Sequence, residues 1–387
     1  MNVRTSSRRV LLQEIAARGR IPRIDLAART GISRATVTAI TADLLRDGLI
    51  AEIEPEGHVA RGRPRVDLKL AGAAHLVAGL KISDQWISLL LMDFEGVERA
   101  RHRTALPPGR HTPEALAQHV RSALDGLMAR AKRTRRDLSA VGIGLSGIVD
   151  APAGHVHWSP SLTERNVDLA GVMADALGVP SYLDNDANLV AVAEKRFGLG
   201  QDHDSFIVVT IEAGVGMGLV LGGEVYRGTR GCGAEFGHTK VHLEGALCRC
   251  GQRGCLEAYV ADYALEREAR TLLGPNCTLP ALVSAAQSDP AAASIIDRAG
   301  RMFALGLANL VNIFDPSLII LAGEQVRFDH LYAETVLGEM RKSIVQVDSA
   351  PPEVVVHAQG EEMWARGAAA YALDFVMDAA AEGRDAG

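Results

Sequence analysis

Three of the five cysteines in this 387-residue chain fall within eight residues, Cys248-Arg249-Cys250-Gly251-Gln252-Arg253-Gly254-Cys255, and His238 stands shortly before them. One imidazole and three thiolates form the donor set of a closed tetrahedral zinc site, with no position left open for a substrate. Cys248 and Cys250 are too close in sequence to bridge comfortably, and thiols in a reducing compartment seldom pair. Gly251 and Gly254 let the chain fold back between donors. His238, Cys248, Cys250 and Cys255 are therefore expected to hold one structural Zn2+. Cys232 and Cys277 lie outside the spacing and are expected to be plain thiols. Carboxylates flank the motif at Glu235 and Glu257, and Asp184-Asn185-Asp186 forms another polar group upstream. On residue type alone, that triplet also reads as a solvated turn, and Glu257 as a charge on a helix.

The formal net charge of −6 is unevenly spread. The first 70 residues carry 13 Lys and Arg against 8 Asp and Glu, and the rest carries 28 against 39. A basic head on an acidic body suits DNA, where phosphate neutralisation supplies most non-specific affinity. Pattern points the same way. Leu11, Leu12 and Ile15 predict a helix over about 7–18, and Ile24, Leu26 and Ala27 a second ending near Thr30. Gly31 suits a tight turn, and Ser33 caps a third helix reaching about Asp47. Val37, Ile40 and Leu44 share one side of it, and Ala35, Ala39 and Ala42 face away beside Thr36 and Thr38. Small outward residues let a helix lie close to base edges, where Arg34 and the threonines can hydrogen-bond. The spacing of Ala27, Gly31 and Val37 resembles the helix-turn-helix pattern. Ser33, Arg34, Ala35, Thr36 and Thr38 are thus the expected contacts to a double-stranded DNA operator. The next stretch alternates around a turn at 55–57, as a β-wing does, and Arg61, Arg63 and Arg65 then surround Gly62 and Pro64. An extended Arg-Gly-Arg-Pro segment suits a narrow minor groove, so Arg61 and Arg63 join the DNA set.

These groups need a frame. Composition is that of a globular protein, 48% hydrophobic and 23% charged, with room for two or three domains. No apolar run approaches the ~20 residues of a membrane span, and the basic N-terminus has no long apolar core or small-residue cleavage site. A cytoplasmic protein is expected. From about residue 74, HLVAGLKISDQWISLLLMDFEG reads as two adjacent strands, and SAVGIGLSGIVD as a buried strand feeding a Gly-rich turn. A strand end, a polar turn and a helix follow in PSYLDNDANLVAVAEKRFG, then a strand pair in SFIVVTIEAGVGMGLVLGGEVYRG. Late in the chain GRMFALGLANLVNIFDPSLIILAGE is a long helix followed by a buried strand. Such alternation predicts the α/β class, in two lobes each built on a mixed sheet.

With the cysteine motif as its most specific part, the body resembles the ROK family (repressor, open reading frame, kinase). With the helix-turn-helix in front it is similar to the xylose- and N-acetylglucosamine-type repressors of that family. The resemblance implies a two-lobed ribonuclease-H-like, actin/hexokinase fold. It would comprise a winged helix-turn-helix and basic linker over 1–70, an N-terminal lobe over 74–187 and a C-terminal lobe over 188–387, whose last helix can return to the first lobe. It also implies zinc at the four matching residues. Sugar hydroxyls would be held by Asn185, Asp186, Glu235, His238 and Glu257, with Asp186 matching the general base of the kinases.

Three nucleotide elements depart from the family pattern. Lys81-Ile82-Ser83-Asp84-Gln85-Trp86 stands in place of Asp-x-Gly-Gly-Thr-Lys, Glu212-Ala213-Gly214 in place of Gly-Thr-Gly, and Ala322-Gly323 in place of a Gly-Gly turn. Side chains on those glycines hinder backbone amides from approaching a phosphate, and Lys81 brings a cation to a metal position. In the sugar pocket, Pro160-Ser161-Leu162 replaces Pro-x-Asn-Leu, which bears on which sugar fits. The expectation is a sugar- or sugar-phosphate-responsive regulator, most often a repressor in this family, acting as a homodimer or homotetramer with kinase activity lost. An ATP-dependent sugar kinase with a DNA-binding appendage is the alternative, and a constitutive DNA-binding protein with a vestigial body is a third reading.

Overall fold

A computed structural model describes residues 3–54, 66–323, 328–345, 350–357, 360 and 362–383. The chain forms two compact units, residues 1–185 with 364–387, and residues 186–363.

The first unit begins with the head: α1 (Val3–Arg18), β1 (Ile21–Pro22), α2 (Arg23–Thr30), α3 (Arg34–Arg46), β2 (Ile50–Ile53) and β3 (Asp67–Leu70). Leu11, Leu12 and Ile15 of α1, Leu26 of α2, and Val37, Ile40 and Leu44 of α3 are buried together with Leu68 and Leu70 of β3. The predicted stripes of α1 and α3 pack as expected, whereas in α2 Leu26 and Ala27 are buried and Ile24 is exposed. Gly31 ends α2 at φ 70°, where a Cβ would be strained, and its N–H returns to the Ala27 carbonyl. Ser33 caps α3, its hydroxyl accepting the Thr36 N–H at 3.2 Å. β3 pairs antiparallel with both β1 and β2, which makes the wing. The wing turn at 55–57 and Arg61, Arg63 and Arg65 lie outside the described residues.

The body of this unit runs β4 (Leu76–Ile82), β5 (Trp86–Asp93), β6 (Glu98–Ala105), α4 (Pro113–Arg130), β7 (Ala140–Leu145), β8 (Ile148–Asp150), β9 (His155–Trp158), β10 (Val167–Asp168), α5 (Leu169–Leu177) and β11 (Ser181–Asn185). Its main sheet has the order β11-β7-β4-β5-β6, with β7 parallel to both β4 and β11 and the β4–β5–β6 pairs antiparallel.

The second unit contains α6 (Asp186–Phe197), β12 (Phe206–Ile211), β13 (Val215–Leu221), β14 (Glu224–Val225), α7 (Glu257–Val260), α8 (Asp262–Leu273), α9 (Leu279–Ala285), α10 (Pro290–Phe314), β15 (Leu318–Ala322), α11 (Glu334–Ser343) and β16 (Glu353–Val356). Its sheet order is β14-β13-β12-β15-β16, again mixed. Phe236, Leu256, Phe303 and Leu307 belong to one core cluster with the inner face of that sheet, so the zinc-type segment is anchored from below. α6 follows β11 without an intervening turn.

The last helix, α12 (Glu362–Glu382), groups from Trp364 onward with the first unit. Paired strand glycines admit it: a Cβ on Gly142 would stand 1.8 Å from the Ala368 carbonyl, and one on Gly79 2.0 Å from that of Ala365. At its far end Asp378 pairs with Arg9 of α1 at 2.7 Å. Among the described residues, no helix is long and apolar enough to cross a membrane.

Candidate functional site

His238 lies on a single 3-10 turn, Phe236–His238, and the cysteines follow on a loop that returns through a short antiparallel bridge between Lys240 and Cys255. Gly251 (φ 88°) and Gly254 (φ 76°) make the two reversals. A Cβ on Gly254 would stand 1.8 Å from the His242 carbonyl, so this position requires glycine on both counts. The donor atoms of His238, Cys248, Cys250 and Cys255 all lie within 4.8 Å of one another. His238 Nδ1 is 3.7 Å from Cys248 Sγ, and Cys250 Sγ is 3.7 Å from Cys255 Sγ. Two sulfurs each ~2.3 Å from one tetrahedral ion stand ~3.7 Å apart, so the spacing fits a metal ion. Burial pushes the Cys255 thiol up to about 11, against the lowering effect of Lys240, so without a metal ion it is protonated at neutral pH. A divalent cation supplies the charge that ionises such a donor. Cys232 is exposed and Cys277 is buried, both outside the cluster.

Lys240 was not legible as a site residue, yet its ammonium donates to Cys255 Sγ at 2.9 Å and to Gln252 Oε1 at 2.6 Å. Tyr263 was also missed. Its hydroxyl lies 3.4 Å from Glu257 Oε1 and 3.6 Å from Cys248 Sγ. Their only sequence signal was proximity to the motif, Lys240 two residues after His238 and Tyr263 in the helical stretch after Glu257.

The carboxylates gather around this scaffold. Glu257 begins α7 directly after Cys255-Leu256; it is buried, with Oε2 3.3 Å from the Val215 N–H. Glu235 precedes the 3-10 turn, next to Ala234 at the left-handed φ of 66°. Desolvation raises the Glu235 carboxyl above its ordinary value; His238 opposes this, while Asp186 and Glu257 add to it. Asp186, Glu235, His238 and Glu257 thus share one electrostatic neighbourhood within the second unit. Asp186 opens α6, with Oδ1 accepting the Ala187 N–H at 2.9 Å. Asn185 closes β11 in the first unit, and its amide donates to the Gly147 carbonyl at 2.9 Å. Several acceptors held close suit the hydroxyl donors of a polyol.

The β4–β5 turn is built differently. The Ser83 N–H and hydroxyl both go to the Trp86 carbonyl, at 2.9 and 3.0 Å. Lys81 is buried, its ammonium 3.7 Å from the centre of the Trp364 ring. In the second unit the Glu212 N–H turns back to the Gly214 carbonyl at 2.9 Å.

On the head, Ser33, Arg34, Ala35, Thr36 and Thr38 are all exposed at the N-terminal half of α3. Thr38 donates its hydroxyl proton to the Arg34 carbonyl at 2.8 Å, and the Ser33 and Thr36 hydroxyls lie 2.8 Å apart. These hydroxyls are therefore engaged locally, leaving the Arg34 guanidinium as the long donor of the group and the Ala35 and Thr38 methyls as apolar surface.

Comparison with known proteins gives these parts their relatives. The ROK family model matches residues 77–374, and a winged helix-turn-helix DNA-binding model matches residues 4–51. The chain is 25% identical over 379 residues to the xylose repressor of Bacillus subtilis (strain 168), covering 97% of each. It is 28% identical over 321 residues to the DNA-binding transcriptional dual regulator NagC of Escherichia coli (strain K12), covering 80% of this chain and 78% of that one. Among solved structures, a ROK family transcriptional regulator described as a homolog of the E. coli MLC protein superposes with a TM-score of 0.82 at 24% identity, covering 97% of each chain. A ROK family glucokinase from Streptomyces griseus, in complex with glucose and AMPPNP, superposes with a TM-score of 0.63 at 31% identity, covering 77% of this chain and 99% of that one.

Proposed function

The chain belongs to the ROK family, and from that premise we propose that it is a sugar- or sugar-phosphate-responsive DNA-binding repressor of carbohydrate-metabolism genes, without kinase activity. The observation that carries the reading is a capped, outward-facing α3 on the same chain as a body whose β4–β5 turn directs both Ser83 donors back to the Trp86 carbonyl. Repressors named for xylose and N-acetylglucosamine are matched over most of their length, which supports the regulator over a kinase with a DNA-binding appendage.

In this reading Arg34 and the exposed face of α3 read base edges in the major groove, and Ser33, Ala35, Thr36 and Thr38 set how closely the helix approaches. Arg61 and Arg63 contact an adjoining minor groove. Asn185, Asp186, Glu235, His238 and Glu257 bind sugar hydroxyls. His238, Cys248, Cys250 and Cys255 hold Zn2+, whose chemistry there is to fix the loop that orients Glu235 and Glu257. His238 has two ring nitrogens; Nδ1 faces the cysteines, which leaves Nε2 for a hydroxyl. A cytoplasmic homodimer or homotetramer would present two α3 helices to half-sites about 34 Å apart, and sugar binding would change that spacing.

The test is direct. DNA selected from a random pool by the full-length chain should be released by one member of a panel of aldoses, N-acetylhexosamines and their phosphates. Asp186→Asn should bind the same DNA but need roughly 10- to 100-fold more sugar to release it, as expected for the loss of a charged hydrogen bond. Phosphate transfer from ATP to any panel sugar would sink the proposal.

A further inference from the structure

Tyr263 stands in the first turn of α8 with its hydroxyl between two groups of different chemistry. The oxygen is 3.6 Å from Cys248 Sγ and 3.4 Å from Glu257 Oε1, and those two atoms are themselves 3.4 Å apart. Its ring is held from the cysteine loop. The Arg249 guanidinium lies 3.9 Å above the ring centre, and the Arg249 backbone N–H donates to the hydroxyl at 3.4 Å. That N–H occupies a lone pair of the oxygen, which leaves the phenol proton to point at the Cys248–Glu257 pair.

We propose that Tyr263 is a positioning residue that keeps the metal ligand Cys248 and the carboxylate Glu257 side by side when the centre is filled. The inference rests on reading His238 and the three cysteines as a metal centre. A free Cys248 thiol can donate its own proton to Glu257. Metal binding sends that proton to solvent and turns the sulfur into an acceptor. Two acceptors then face each other at contact distance in a buried position. One donor lying between them satisfies both, and Tyr263 supplies it. Lys240 does the same on the other side of the cluster, at Cys255. Groups of this kind around metal ligands tune affinity as well as orientation.

The arrangement ties the metal to the polyol cluster. A hydroxyl donated to Glu257 by a bound sugar relieves the same crowded pair, so metal retention and sugar occupancy favour each other by the same factor in both directions.

The test uses the full-length chain, with Zn2+ as probe in competition against a chromophoric chelator. Tyr263→Phe keeps the ring and its stacking on Arg249 but removes the proton, and zinc affinity should fall about tenfold. Glu257→Gln replaces the repelling carboxylate by an amide that can donate, so it should hold zinc at least as tightly as the parent. The double variant should recover most of the loss, a rescue that a merely structural role for Tyr263 would not produce. Parent-like affinity in Tyr263→Phe overturns the inference, as does a double variant no better than Tyr263→Phe, or weaker zinc binding by Glu257→Gln alone. A parent chain that binds no zinc removes the metal reading beneath it instead.

Discussion

The β4–β5 turn and the 235–257 segment hold their polar groups in opposite ways. In the turn, Ser83 spends its N–H and its hydroxyl on the Trp86 carbonyl, and Lys81 is folded against Trp364. Both donors of Ser83 close on the protein. In the 235–257 segment Glu257 is buried, Glu235 is raised by desolvation and by neighbouring carboxylates, and Ala234 sits at a positive φ. Those are unfavourable states, held by the cysteine loop and the core beneath it. Costly polar groups held in place mark a region as a candidate for binding, which groups satisfied internally do not.

The strongest break of this contrast is at the cysteines. Cys250→Ser should abolish stoichiometric zinc and lower the unfolding temperature of the second unit steeply. Structural zinc contributes on the order of 10 kcal/mol in small zinc domains, and the larger core here retains part of the fold. Metal analysis and calorimetry check this. Ser83→Gly in the closed turn should leave metal content unchanged and cost less than about 1 kcal/mol.

A buried polar group elsewhere in the second unit shows whether such cost is confined to the cluster. Among the described residues neither ring nitrogen of buried His330 has a partner, and desolvation lowers its pKa to about 4. The folded state holds the neutral ring, so its contribution is fully present above the unfolded value near 6.5 and is lost as pH falls toward 4. The full effect is about 3 kcal/mol. Denaturation at pH 7 and pH 4.5 should show a gap that His330→Leu narrows.

Within the first unit, Gly142→Ala would force the backbone of α12 away from the sheet. It should cost about 1–3 kcal/mol in chemical denaturation. On the head, Arg34→Ala should cost about 1–3 kcal/mol of operator affinity and relax sequence preference, read by binding to selected and random duplexes. Ser33→Ala loses the α3 cap and about 1 kcal/mol of stability.

The head was largely legible because Leu11-Leu12-Ile15 and Val37-Ile40-Leu44 recur at helical spacing, and the body because its apolar runs alternate as strands and helices. The cysteine loop was legible because its donors are close in sequence. What was not legible depended on the third dimension. Tyr263 and Lys240 carry no motif, and their roles arise from where α8 and the Lys240–Cys255 bridge bring them. The return of α12 was implied by the family resemblance, but the glycines that admit it, Gly79 and Gly142, are in sequence ordinary strand glycines. Lys81 was legible as a cation at a metal position, and the Trp364 ring under its ammonium, from the far end of the chain, was not.

The central claim is a polyol site kept in a body that no longer takes nucleotide. The most direct measurement is the thermal unfolding of the full-length, zinc-loaded chain with MgATP, and with xylose, glucose, N-acetylglucosamine and their phosphates, each alone. The account predicts a rise in unfolding temperature with at least one sugar or sugar phosphate, its loss in Asp186→Asn, and no rise with MgATP. A rise with MgATP, or none with any sugar, would contradict it.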